Sequence, residues 1–208
     1  MHRIWSVGAL AIVLVAGSRS PAAADDAATL SAKVDGAITG AASYRIAVLG
    51  PGVSLDILAV GQDRVRILST LGGVASESVV VGTSMYYRGA DGVWQSYAIP
   101  PVKRTRKNRL YMGAADTPLR PLPDRTESDT TWGAFSSQAQ GNTQLNGSME
   151  CTYDKATYRP RACTIVVLGV SAPLRVTYDR WNDPANTIEA PAGVAPPTPA
   201  PAATAAPH

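Results

Sequence analysis

Apolar and polar side chains alternate with a period of two over much of this chain, which marks β-strands rather than helices. Tyr44, Ile46 and Val48 alternate with Arg45 and Ala47, and Gly50-Pro51-Gly52 then forces a turn. Val53, Leu55 and Ile57 follow, opposed by Asp56, and Gly61-Gln62-Asp63 makes the next turn. Val65 and Ile67 then alternate with Arg64 and Arg66, and Leu71-Gly72-Gly73 leads into Ser76–Pro100. That stretch reads as two strands joined at Gly89-Ala90-Asp91-Gly92, with Val79, Val81, Met85 and Tyr87 sharing one face of the first. Successive strands with tight turns predict an antiparallel meander with one apolar face and one wet face.

Two stretches interrupt the pattern. Residues 25–41 begin with Asp25-Asp26 and continue with spaced apolar side chains, which predicts a short helix bounded by Gly36 and Gly40. Residues 100–146 hold a basic run and the proline-rich TPLRPLP, and read as a long loop or lid insertion. Within it, Glu127 to Ala139 is expected to form a short helix that packs Trp132 and Phe135 onto the sheet. Strands return at Gly147–Tyr153, Ala162–Val170 and Leu174–Tyr178, with Cys163, Ile165 and Val167 on one face and Leu174, Val176 and Tyr178 on another.

The two ends read differently from the middle. Met1-His2-Arg3, the apolar run Val7 to Ala16 and Pro21-Ala22-Ala23-Ala24 form a secretory signal peptide, residues 1–24, cut after Ala24. The apolar run is shorter than the roughly 20 residues a membrane span needs. The folded domain is expected over 25–191, and the proline- and alanine-rich residues 192–208 as a disordered tail. Nineteen Lys and Arg against sixteen Asp and Glu give +3; losing Arg3 and Arg19 with the leader leaves +1, too balanced a total to imply nucleic-acid binding.

Candidate chemistry is sparse. The two histidines, His2 and His208, fall in the leader and at the last position, so the domain lacks the base of a Ser-His-Asp triad or a Cys-His pair. No phosphate-cradling glycine motif occurs, and no metal or cofactor is implied. A carboxylate pair remains compatible with the composition, although the acids are scattered among turns. The two cysteines, Cys151 and Cys163, flank a hairpin in an exported chain and are expected to form a disulfide. The basic run Lys103, Arg104, Arg106, Lys107 and Arg109 admits contact with anionic headgroups at a membrane, or a solvated loop.

The order of parts resembles the LolA-like superfamily of exported lipoprotein and lipid carriers, and within it the branch that includes mycobacterial lipid-carrying lipoproteins. The resemblance rests on the leader and short helix, on VVVGTSMYYRGADGVWQSY, on CTYDKATYRPRACTI, and on Tyr178, Trp181-Asn182 and Ile188 to Pro191. It implies a mainly β (α+β) fold, a curved antiparallel half-barrel whose mouth is closed by a few short helices. It also implies a periplasmic, non-enzymatic carrier of acyl chains from a lipid or lipoprotein. On that reading the cavity is lined by Ile46, Val48, Leu55, Ile57, Val65, Ile67, Val79, Val81, Met85 and Tyr87, or by their strand alternates, since the sequence leaves the register open. The alternative is an exported sensing or scaffold domain of the same fold that binds a protein partner and leaves the cavity unused.

Overall fold

The computed structural model describes residues 26–100, 119–140, 146–167 and 171–197. The expected signal peptide, the basic run 103–109 and residues 198–208 of the expected tail lie outside the described residues. Helix α1 (Ala27–Thr39) begins where the sequence predicts: the Asp26 carboxylate accepts a 2.7 Å hydrogen bond from the backbone N–H of Thr29. That bond to the helix backbone holds the Asp26 carboxyl below its usual range. Gly40 closes the helix, its N–H donating to the carbonyl of Gly36. Leu30, Val34 and Ile38 recur every four residues and form the buried stripe.

Eleven strands follow: β1 (Ser43–Gly50), β2 (Val53–Val60), β3 (Arg64–Leu71), β4 (Val74–Val81), β5 (Ser84–Arg88), β6 (Trp94–Ala98), β7 (Arg120–Glu127), β8 (Thr130–Gln140), β9 (Asn146–Tyr153), β10 (Pro160–Val167) and β11 (Leu174–Asp179). They form one antiparallel sheet in the order β6-β5-β4-β3-β2-β1-β11-β10-β9-β8-β7. Curvature follows from what α1 touches. Its stripe packs with Ile57 of β2, and the hydroxyl of Ser31 accepts from the backbone N–H of Leu119, at the start of β7. Those strands are six steps apart in the sheet, about 29 Å if it were flat, whereas α1 is only about 20 Å long and 10–12 Å wide. The sheet therefore curls around the helix as a half-barrel left open between β6 and β7 among the described residues. One helix is present among these residues, where the resemblance implies a few.

The main core lies between α1 and the concave face. Leu30, Val34, Ile46, Ile57, Phe135 and Met149 are buried there together with Val176 and the disulfide. Cys151 and Cys163 stand directly opposite each other on β9 and β10 and are bonded, as the sequence predicts. A smaller core lies on the convex face. After β11 the chain turns at Trp181, which packs on Tyr44 and Tyr178. The Asn182 side-chain oxygen accepts from the backbone N–H of Ala42, and its own backbone N–H donates to the carbonyl of Ser43. The segment then crosses the back of the sheet, where Ile188 is buried with Val79 and Tyr86 and Val194 packs beside them. Val194 belongs to the stretch expected as tail.

Three local expectations are corrected. Ser76–Pro100 is not one hairpin: Gly82-Thr83 is itself a two-residue turn, so β4 and β5 are separate strands and Val81 pairs with Ser84. Gly82 has a φ of 61°, a conformation that glycine adopts without strain at such a turn. Residues 120–140 form the hairpin β7–β8, not part of a lid, and Glu127–Ala139 is not a helix. Of its two aromatics, Phe135 enters the main core, while Trp132 stacks under the Arg161 guanidinium at 4.4 Å. Finally, Cys163 pairs with Val176 and Ile165 with Leu174, so the two late apolar sets share one face rather than occupying two.

Candidate functional site

Residues directly opposite one another in an antiparallel sheet share a face, so the pairing register assigns every side chain of β1–β6 to one side. Across the concave side run Tyr44, Ala59, Val65, Val80, Met85 and Tyr97, one residue per strand. The next row is Ile46, Ile57, Ile67, Ser78, Tyr87 and Gln95, followed by Val48, Leu55, Ser69 and Ser76. Val53, Leu71 and Val74 form the rim. The six charged residues of these strands, Arg45, Asp56, Arg64, Arg66, Glu77 and Arg88, all fall on the convex side. The concave side of β1–β6 carries none.

The ten cavity candidates divide accordingly. Ile46, Val48, Leu55, Ile57, Val65, Ile67, Met85 and Tyr87 are concave; Val79 and Val81 are convex, in or against the cluster with Ile188. The Gly82-Thr83 turn explains the split, since a two-residue reversal pairs Val79 with Tyr86, not with Met85 or Tyr87. Among the eight, Ile46, Val48 and Ile57 are sealed beneath α1. Leu55, Val65 and Ile67 are partly buried at the edge of that core, and Met85 and Tyr87 are half-buried further along the sheet. Sequence reading missed Val80, Leu71, Val74 and Tyr97, which continue the concave wall. Leu71, Val74 and Tyr97 are 52%, 57% and 45% exposed, so among the described residues the wall extends beyond the helix as exposed apolar surface. Glycine at 82 was the available signal, because G-T between two apolar runs is itself a hairpin turn.

The convex side is held differently. Arg45 donates to Asp56 through both Nε and Nη2, at 2.9 and 2.6 Å, and reaches Asp179 at 3.4 Å. The hydrogen bonds to Asp56 raise the Arg45 pKa above its ordinary value, fixing it as a cation. Glu77 is buried between Arg66, at 2.8 Å, and Arg88, at 2.5 Å. These pairs satisfy charges that the strands place on the outer surface and leave the inner one free of them.

Among the described residues, no three His, Cys, Asp or Glu side chains gather as a metal site would need. No described helix is long and apolar enough to cross a membrane.

No protein-family model matches the sequence, and no curated protein matches it. Solved structures that resemble the chain include a LolA superfamily protein from Nitrosomonas europaea, 10% identical, covering 76% of this chain and 93% of that one with a TM-score of 0.34. MucB is 16% identical over 80% of this chain and 63% of its own, with a TM-score of 0.41. An outer membrane lipoprotein-sorting protein domain from Vibrio parahaemolyticus is 9% identical over 69% of this chain and 85% of its own, with a TM-score of 0.33.

Proposed function

We propose that this chain is an exported, non-enzymatic carrier that works in the periplasm and holds acyl chains of a lipid or lipoprotein against its concave face. The observation that carries the reading is the absence of any charged side chain among the concave residues of β1–β6, although six charged residues lie on the same strands. A filled core explains such a surface beneath α1, but not at Leu71, Val74 and Tyr97, which the helix leaves exposed. An acyl chain laid along Val65, Val80, Met85 and Tyr97 leaves water at about 0.8 kcal/mol per buried methylene. Roughly ten methylenes then give about 8 kcal/mol before the cost of ordering the chain, enough for capture and small enough for release. No bond is made or broken, and the chemistry is partition.

The basic run Lys103, Arg104, Arg106, Lys107 and Arg109 completes the proposal as a contact for anionic headgroups at the donor or acceptor membrane. Substituting all five by Gln should abolish sedimentation with phosphatidylglycerol vesicles, and unchanged sedimentation would remove that part of the reading. The carrier function itself is tested by purifying the chain from its exported location, extracting it with organic solvent and identifying the extract by mass spectrometry. Stoichiometric acyl lipid supports it. A lipid-free protein that also fails to bind a fluorescent fatty acid, yet retains a protein partner, supports the scaffold alternative instead.

A further inference from the structure

The convex face carries a cleft that the carrier reading does not use. It has a volume of about 520 Å³ and is lined by Ser54, Asp56, Leu68, Thr70, Glu77 and Arg88, with the Gly89–Gly92 turn as one wall. That volume falls within the range of small-ligand sites. It lies on the opposite side of the sheet from the apolar wall, as the register of Asp56, Leu68, Glu77 and Arg88 requires.

Two features identify the ligand chemistry. The first is a charge balance. The charged lining is Asp56, Glu77 and Arg88, and both carboxylates are already paired, Asp56 with Arg45 and Glu77 with Arg66 and Arg88, so no unpaired charge is left to recruit an ion. The second is the arrangement around Leu68. This residue is 39% exposed, stands in register between Asp56 and Glu77, and so offers an apolar platform flanked by two carboxylates. Arg88 completes the rim, held by Glu77 on one side and over the Trp94 ring, at 4.8 Å, on the other. Ser54 and Thr70 stand opposite each other on β2 and β3 and add two hydroxyls. Carboxylates held by arginines keep lone pairs to accept with, and Arg88 keeps N–H groups to donate with. A hydroxyl both donates and accepts, and a ring of C–H bonds covers a leucine.

We infer that this convex cleft is a second binding site, for a neutral polyhydroxylated ligand, in chemical class a saccharide. The Glu77 side chain, only 8% exposed, is fixed before any ligand arrives, so binding does not have to order it.

The test is heteronuclear NMR of the full mature chain titrated with cellobiose, maltotriose and chitotriose, and in parallel with inorganic phosphate and benzamidine. At least one sugar is expected to shift the signals of Leu68 and Thr70 saturably, with a Kd on the order of millimolar. Leu68→Ala and Thr70→Val should each weaken that binding about fivefold to tenfold while the rest of the spectrum stays folded. No shift by any of the sugars up to about 50 mM would overturn the inference, as would saturable binding of phosphate or benzamidine alone. Fatty-acid binding is measured separately on the concave face, so failure at one site is distinguishable from failure at the other.

Discussion

Glutamate at Tyr97 and glutamate at Ala98 place the same charge on adjacent residues of β6, on opposite faces of one sheet. Tyr97 belongs to the concave row with Val80 and Met85, whereas Ala98 pairs with Ser84 on the convex side. Both positions are exposed, so neither substitution should move stability by more than about 0.5 kcal/mol, and thermal unfolding should confirm this. Binding should separate them sharply. A fully buried aromatic side chain covers about 200 Å², and 45% exposure leaves about 90 Å² free to meet a ligand. At about 25 cal/mol per Å² that surface contributes roughly 2 kcal/mol, a factor of about 30 in affinity. A carboxylate set beside an acyl chain adds its own desolvation cost, so Tyr97→Glu should weaken binding by about 100-fold in total. Ala98→Glu should stay within about twofold of the parent. The assay is fluorescence titration with cis-parinaric acid. Equal affinities for the two variants would refute the assignment of the concave face as the binding surface.

Three further outcomes follow from the packing. Replacing both Cys151 and Cys163 by Ala should cost about 3 kcal/mol in urea unfolding, from the closure of a short loop across β9 and β10, and a loss below about 1 kcal/mol would show that the bridge stabilises little. Glu77→Gln leaves Arg66 and Arg88 without their shared anion and should cost about 1–2 kcal/mol, less than a fully buried pair because both arginines are nearly half exposed. Asp154 accepts from the backbone N–H groups of Thr157 and Ala156 and from the Thr157 hydroxyl, and these bonds, the Thr157 N–H above all, hold its carboxyl below the usual 3.8. A lowered folded pKa stabilises the protein above the unfolded value and loses that contribution as pH falls through the folded one. The stability advantage of the parent over Asp154→Asn should therefore be constant from about pH 7 to 5 and shrink below about pH 4, and an advantage that grows on acidification would contradict the role assigned to the turn.

The parts of this fold legible in the sequence are those in which local chemistry and tertiary context agree. Asp26 caps α1 and Gly40 ends it because a capping carboxylate and a helix-terminating glycine act through the backbone beside them. β1 and β2 follow their alternation because each buries one set of side chains, and β3 because Val65 and Ile67 are half-buried against the core while Arg64, Arg66 and Leu68 are exposed. Errors arise where a second reading of the same residues is locally as good. In VVVGTSMYY a single strand interrupted by glycine and two strands joined by Gly-Thr have the same composition; only pairing with β3 and β6 separates them. That one turn decides the faces of Val79, Val81, Met85 and Tyr87. The prolines of TPLRPLP speak against a strand, yet Pro121 and Pro123 lie on β7, a strand paired only with β8 among the described residues, where a missing N–H disrupts no central ladder. β8 reads as a helix because Trp132 and Phe135 are three residues apart, whereas in the sheet they face opposite sides. Gly133 between them admits the Tyr153 ring, which a Cβ would strike at 2.2 Å, a close approach that only the folded neighbour reveals.

The central claim is that an acyl chain lies on the concave face and nowhere else on this sheet. Neighbouring residues on opposite faces make it measurable: Ile67 and Val80 are concave, while Leu68, Val79 and Val81 are convex. With methyl-labelled protein and a fatty acid carrying a nitroxide near its terminal carbon, relaxation enhancement should broaden the methyl signals of Ile67 and Val80 at substoichiometric probe. It should leave Leu68, Val79 and Val81 sharp. Broadening of the convex methyls with the concave ones untouched would contradict the account.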